Sequence, residues 1–365
     1  MTPLVIALAS NERYVHGLYC AVASALGHIS GERIVDLWVL DGGISQASRN
    51  MLGRLVTRFG RSVRLEFVPI DESVFCGATL GPGKSHMTYS RILLPGLLDV
   101  PRLIYLDCDV LVFRDVSELF DLELSHGKVI AAVPDSETLT LGDDSPALAA
   151  AMKLPAGDIY FNAGVMLMNL DELRKQFFFQ HSIELLNSWN ANYRFWDQSA
   201  INFLLHGQID ALPTYWNRAS WQFDKQDNNQ LDCVLHYTRS VPWLCETPGP
   251  AQALFEQFAA QAGLVVNRTS AEFKLSRRRW FWRTAMAPLR AAVFSLMSIF
   301  YKLSGCRKKA ADYQSVARYW LSYVRHAASR QRMHRRRIVE IQKMRFDVTH
   351  YETTRNLAAE NTAGI

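Results

Sequence analysis

The stretch that most constrains this chain is Leu103-Ile104-Tyr105-Leu106-Asp107-Cys108-Asp109-Val110-Leu111-Val112. An apolar run leads into two carboxylates set two apart, and a second apolar run leads out. The first run is short, bulky and without alternation, so it predicts a strand buried on both faces. In extended chain, residues i and i+2 point the same way, which turns Asp107 and Asp109 toward one point. Neighbouring anions at the end of a buried strand need a counter-charge, and a divalent cation supplies one. Open α/β sheets bind ligands beyond the carboxyl ends of their strands, so a metal held there can grip a diphosphate. Asp-X-Asp also occurs as a solvated turn, and the flanking elements must decide between the two.

Those elements alternate. Residues 2–9 read as a strand ending in the polar loop 10–14, and 16–26 as a helix. Residues 34–40 form a second strand, stopped by Asp41-Gly42-Gly43. Ser45 is placed to cap a helix through Phe59, and 63–68 is a third strand. This order predicts an α/β fold with a mostly parallel, nucleotide-binding type of sheet flanked by helices. Further strands are expected at 129–133, closed by Pro134-Asp135, and at 162–170, where Gly164 would admit a close backbone approach. Asp171 is expected to cap a long helix to about Asn192. Asp197 falls at the start of another helix, where capping is the alternative to a site role. Residues 136–158 read as polar and irregular, with a small Ala-rich helix.

A charged content of 21% beside 49% hydrophobic residues excludes global disorder. The six cysteines show no CxxC pair, which argues against a zinc site or disulfide framework and fits a reducing, cytoplasmic compartment. The N-terminus lacks the basic region of a signal peptide and reads as a first core strand. The net charge of +5 is uneven: residues 273–345 hold 19 Lys/Arg against two acids, +17, leaving −12 for the remainder. Here Arg277-Arg278-Arg279-Trp280-Phe281-Trp282-Arg283 interleaves cations with aromatics, and 285–301 is largely apolar, interrupted by Pro288 and Arg290. At 17 residues that stretch sits at the lower limit for a span and suits a helix lying in the interface of an anionic membrane. A solvated charged helix is the alternative. Nucleic acid is not an expected partner, because the apolar stretch does not suit it.

The polar strand ends, 10–14, Arg91, Asp107, Asp109, Asp135, Asn162, Asp197, Gln198 and His236, can converge on one sheet edge. Two carboxylates and one imidazole make a site for Mn²⁺ or Mg²⁺ rather than a closed zinc tetrahedron. Such an ion acts as a Lewis acid on a departing diphosphate.

With these residues the chain resembles the family 8 glycosyltransferases, retaining enzymes of the GT-A (Rossmann-like) fold. The matching elements are Ala9-Ser-Asn-Glu-Arg-Tyr14, Tyr89-Ser-Arg91-Ile-Leu-Leu-Pro95, Leu106-Asp-Cys-Asp-Val110, Ala132-Val-Pro-Asp135, Tyr160-Phe-Asn-Ala-Gly-Val165, Trp196-Asp-Gln198 and His236-Tyr-Thr-Arg-Ser-Val-Pro-Trp243. The resemblance covers roughly residues 4–245 and implies a GT-A domain, taken as 1–270; the basic, aromatic, helical region 271–365 is read from its charge and composition. The resemblance also implies that Asp107, Asp109 and His236 bind the metal. Asn11 and Tyr14 would lie by the base and ribose of a UDP-sugar, with Arg91 near its sugar and diphosphate. Ala9 and Cys108, inside the same motifs, join the donor-binding set. Asp135, Asn162, Ala163, Asp197 and Gln198 would line the donor-sugar pocket, with Gln198 near the anomeric carbon and Asp197 and Asp135 beside it in the catalytic set. The implied activity is transfer of glucose or galactose from a UDP-sugar; the basic, aromatic tail adds the expectation of a bacterial surface glycan or glycolipid acceptor, such as lipopolysaccharide, and of an enzyme peripheral on the inner membrane face.

The chain departs from the family pattern in places. Asn11 stands where an Asp is usual, and Arg13 where an Asn is. In the closing motif Arg239 replaces a glycine and the lysine that normally meets the diphosphate is missing; a guanidinium can grip phosphate in its place. Ser199 takes the third position of the usual Asp-Gln-Asp. A binding or scaffold protein that has lost transfer is therefore the alternative reading. A nucleotidyltransferase ranks behind it, because the first loop has no glycine-rich, basic character.

Overall fold

The computed structural model describes residues 2–348 other than 61, 82–84, 190–192, 240, 267, 269, 305 and 347. Asn192, the predicted end of one helix, and the last 17 residues of the predicted C-terminal region lie outside the described residues. The chain divides into two compact units, one holding Met1–Ser220 and Leu231–Thr238, the other Trp221–Gln230 and Arg239–Arg345.

The first unit is built on strands β1 (Leu4–Ser10), β2 (Val35–Asp41), β3 (Val63–Pro69), β4 (Arg102–Asp107), β5 (Val110–Val112), β6 (Ile130–Pro134), β7 (Phe161–Asn169), β8 (Ile209–Ala211), β9 (Arg218–Ala219) and β10 (Val234–His236). Seven of them form one sheet in the order β3-β2-β1-β4-β7-β6-β8. Every residue of β1 is buried, as a strand covered on both faces requires. Pairs β1–β2, β2–β3, β1–β4 and β6–β8 are parallel, while β7 runs against both β4 and β6. The expected mostly parallel sheet is therefore present, with one reversed strand.

That reversal positions the polar residues. Strand β7 begins where its neighbours end, so its first residues share an edge with the carboxyl ends of β1, β4 and β6. Leu106 pairs with Val165 and Ala9 with Asp107. A register shift after Ala132 then sets Val133 opposite Asn162.

Asp109 does not continue β4. The chain turns at Cys108–Asp109, and Val110–Val112 enters a second, three-stranded sheet in the order β5-β10-β9. The extended i, i+2 geometry expected for the two carboxylates is thus replaced by a turn between sheets. The pairing of Val110 with His236 and of His236 with Ala219 brings the imidazole to that turn.

Local signals set several boundaries. Ser45 caps the Gln46–Arg58 helix, its Oγ accepting the Ser48 N–H at 3.2 Å. The cap expected of Asp171 belongs instead to Asn169, whose Oδ1 accepts from Glu172 N at 3.1 Å. The helix that follows is two helices, Leu170–Lys175 and Phe178–Ser188, parted at Phe177 with φ 52°. Residues 136–158 hold two short helices, Leu141–Asp144 with a capping box at Thr140, and the Ala-rich Pro146–Ala151.

The second unit is helical: Pro250–Gln261, Ala271–Ala285, Ala287–Leu303 and Arg307–Ile341. Arg337 is buried inside it, lies 4.4 Å from the centre of the Phe223 ring, and donates to the carbonyls of Phe223 and Gln226 and to Asn229 Oδ1. Trp320 packs on Ala287 and Ala291. Leu289, Val293, Leu296, Ile299, Phe300 and Leu303 recur at helical spacing and stay exposed. Among the described residues no single helix is long and apolar enough to cross a membrane. Glu272–Trp282 and Ala287–Leu303, bent by 52°, reach that length and composition only as a pair.

Candidate active site

Asp107 ends β4, Asp109 occupies the turn after it, and His236 ends β10. His236 Nε2 lies 3.2 Å from Asp109 Oδ1 and 3.6 Å from Asp107 Oδ2, and one ligand atom from each residue falls within 4.8 Å of the others. Burial pushes the imidazole toward neutrality, but Asp109 and then Asp107 outweigh it and raise its pKa. When protonated, the imidazole adds to the counter-charge that the two carboxylates require. The donor set, two hard oxygens and one imidazole with a side open to the pocket, fits Mn²⁺ or Mg²⁺. Cys108 stands between the acids, and burial together with both carboxylates holds its thiol protonated.

Gly164 faces this cluster. A Cβ there would lie 2.3 Å from His236 Cε1, 2.7 Å from its Nδ1 and 2.8 Å from Asp107 Oδ2. The close approach expected at Gly164 is made, and what approaches is the imidazole.

Arg91 braces the neighbouring wall. Its Nη2 pairs with Asp107 Oδ1 at 2.9 Å, its Nε with Asp197 Oδ2 at 2.6 Å, and its Nη1 donates to the Ala163 carbonyl at 2.5 Å. The guanidinium also lies 4.6 Å from the centre of the Tyr105 ring. Tyr105, two residues before Asp107 on the same face of β4, donates to Asp107 Oδ1 at 3.1 Å. Burial disfavours the charge on Arg91, yet Asp107 and Asp197 hold it protonated.

Asp197 is almost wholly buried, and burial raises its pKa to about 6 against the pull of Arg91 and of Thr88, whose Oγ1 donates to Oδ1 at 2.6 Å. Its carboxylate therefore serves a side-chain network. Thr88 and Arg91 lie three apart in the 3₁₀ segment Met87–Leu93, which sets both on one edge. Trp196, immediately before Asp197, has φ 49° and is held there as its Nε1 donates to the Leu80 carbonyl at 3.1 Å. A left-handed tryptophan costs about 1–2 kcal/mol, so the backbone is strained where it delivers Asp197 and Gln198.

Gln198 has both ends of its amide engaged: Oε1 accepts the Ala163 N–H at 3.0 Å and Nε2 points to Asp135 Oδ2 at 3.4 Å. Asp135 Oδ1 accepts the N–H groups of Glu137 and Thr138, and its Oδ2 also accepts from Asn162 Nδ2 at 2.9 Å. It is a turn residue and a pocket residue at once. Asn202, one turn beyond Gln198, bonds both backbone groups of Phe161 and so pins the Trp196–Leu204 helix to β7.

One pocket of the first unit is lined by Thr88, Arg91, Asp107, Asp109, Asp135, Asn162, Asp197, Gln198 and His236 together with Ser136, Glu137, Phe195, Trp196 and Thr238. Ala9, Asn11 and Tyr14 do not line it; they lie at the end of β1, beside β4, where Ala9 pairs with Asp107. Asn11 Oδ1 is buried there without a hydrogen bond. Arg239 belongs to the second unit, its guanidinium 4.8 Å from the centre of the Trp221 ring. Thr88, Tyr105, Asn202 and Asn217 were not singled out from the sequence, although Thr88 adjoins the Tyr89-Ser-Arg91 motif.

Solved structures share this arrangement of strands. A crystal structure of the galactosyltransferase LgtC, in complex with donor and acceptor sugar analogs, aligns with a TM-score of 0.58 at 24% identity over 75% of this chain and all of the other. The fold is therefore that of the GT-A glycosyltransferases. The family model for Glycosyl transferase family 8 matches residues 5–246, and the chain belongs to that family. General stress protein A of Bacillus subtilis is 29% identical over 222 residues, 59% of this chain and 74% of that protein. The lipopolysaccharide 1,2-glucosyltransferase of Escherichia coli is 30% identical over 172 residues, 44% of this chain and 49% of that one. The chain thus spans three quarters of the first relative's length and about half of the second's.

Proposed function

We propose that the chain is a metal-dependent retaining hexosyltransferase that moves glucose or galactose from a UDP-sugar onto a bacterial surface glycan or glycolipid. The observation that carries this reading is the meeting of Asp107, Asp109 and His236 in one pocket with Asp135, Asn162, Asp197 and Gln198. When bound, Mn²⁺ or Mg²⁺ would neutralise charge on the departing diphosphate. Asp135 and Asn162 present fixed polar groups to the sugar, and Arg91 keeps Asp107 and Asp197 from repelling one another.

Asp197 and Asp135 are each held by protein donors, and Gln198 is an amide with both ends engaged. This favours front-face attack, in which the acceptor hydroxyl approaches from the leaving-group side and passes its proton to the diphosphate oxygen. No enzyme nucleophile is required. Asn11, with an unbonded buried oxygen, and Tyr14 are the proposed neighbours of the nucleoside; Arg239 is proposed to take the part of the missing lysine. Residues 1–270 would form the transferase body and 271–365 the part that docks on the inner face of an anionic membrane.

The test is UDP release from UDP-glucose or UDP-galactose with Mn²⁺. Asp109→Ala should lower it at least about 100-fold through loss of the metal. Equal rates in wild type and variant would sink the proposal.

A further inference from the structure

We propose that Asn217 is a positioning residue: it holds the proton of His236 on Nδ1 and ties the imidazole to the donor-sugar pocket. The proposal rests on the metal reading of Asp107, Asp109 and His236 given above.

The argument starts from a group that can only donate. The Gly164 backbone N–H donates to Asn162 Oδ1 at 2.9 Å, which fixes which end of the Asn162 amide is oxygen. The other end, Nδ2, then donates to Asp135 Oδ2 at 2.9 Å, as a carboxylate partner demands. The Asn217 side chain also meets Asn162 Oδ1, at 2.8 Å, so the atom it presents there must be its Nδ2. Its Oδ1 is left facing His236 Nδ1 at 2.9 Å, and an amide oxygen only accepts. Nδ1 must therefore carry a hydrogen, and when the imidazolium gives up one proton on metal binding this bond favours keeping the hydrogen on Nδ1 and freeing Nε2. That is the nitrogen facing Asp109 and Asp107.

Every bond in the relay His236–Asn217–Asn162–Asp135 thus points one way. It ends on the carboxylate that also receives Gln198 Nε2. Asn217 is nearly buried and sits just before β9, whose pairing with β10 holds it beside His236. Ligating histidines are tuned by the acceptor on their other nitrogen, and here that acceptor is an amide shared with the sugar pocket.

Two readouts test this on the full-length chain. In metal-free protein, above the titration of the ring, ¹⁵N NMR of the imidazole, assigned with His236→Gln, should show Nδ1 protonated and Nε2 bare. Asn217→Ala should move the ring toward the Nε2–H form. An Nε2–H form in wild type overturns the proposal without reference to any metal. Second, titration with Mn²⁺ alone should show affinity about 10- to 100-fold weaker in Asn217→Ala. Asn217→Asp should stay within about threefold of wild type, since its carboxylate accepts the same proton. That variant has no N–H for Asn162, so UDP-glucose and UDP-galactose should bind about tenfold more weakly while UDP binding is unchanged. Equal loss of Mn²⁺ in the two variants, or no loss in Asn217→Ala, overturns the proposal. A wild-type ring with the Nδ1–H form that binds no Mn²⁺ would support the relay and count against the metal reading.

Discussion

At the scale of single residues the site is governed by what surrounds one imidazole. Gly164 leaves the space that His236 fills, so Gly164→Ala forces the buried ring or Asp107 to move. We expect Mn²⁺ affinity to fall about tenfold or more in a titration with the metal alone; an unchanged affinity would count against this cluster as the metal site. The same ring gives the metal-free protein a pH dependence. Its folded pKa is raised above the ordinary 6.5, because Asp109 and Asp107 outweigh burial. A raised folded pKa gives stability that is fully present below the unfolded value and is lost as pH rises through the folded one. The metal-free melting temperature should therefore fall as pH rises above the ordinary imidazole value and through the raised folded one, and Asp109→Asn should flatten that slope. Bound Mn²⁺ needs the neutral ring, so the stabilisation it adds should grow over the same interval.

At the scale of elements, the loop after β1 is anchored by a carboxylate. Glu12 accepts from Ser45 N at 2.8 Å and from the hydroxyls of Ser45 and Ser48, so it closes the N-terminus of the Gln46–Arg58 helix together with the Ser45 cap. Removing the cap as Ser45→Ala should cost about 1 kcal/mol in urea denaturation, and a cost near zero would show that Glu12 suffices alone. The helix was legible because Ser45 lies just ahead of a periodic run. Asp107, Asp135, Asp197, Gln198 and His236 were legible because each stands at the end of a strand or the start of a helix, within a motif. The departures have equally physical causes. Val110–Val112 reads as more of β4 because an apolar run does not record which sheet it joins. Asn169 and Asp171 are both good caps, and only packing chooses. Asn217 lies between a 3₁₀ turn and a two-residue strand, where no periodicity exists, and its partners are 55 and 19 residues away.

At the scale of the whole molecule, the charge division of the sequence falls largely within the helical unit. There Trp280, Phe281 and Trp282 are exposed beside Arg277, Arg278 and Arg279, and the Ala287–Leu303 helix leaves an apolar stripe uncovered. An exposed apolar stripe with cations next to it suits a bilayer whose headgroups are anionic. Each cation near such a surface adds about 1 kcal/mol, so reversing Arg277, Arg278 and Arg279 to Glu together should weaken binding about 100-fold or more. Flotation with vesicles of phosphatidylglycerol and phosphatidylcholine measures this, and wild-type binding should also weaken as salt rises. Vesicles of phosphatidylcholine alone should bind wild type and variant equally and weakly. Donor turnover in solution should be the same for both, because the change lies outside the pocket residues. If the triple variant floated as wild type does, or if wild type held duplex DNA as tightly as vesicles at equal salt, the basic helices would have another role.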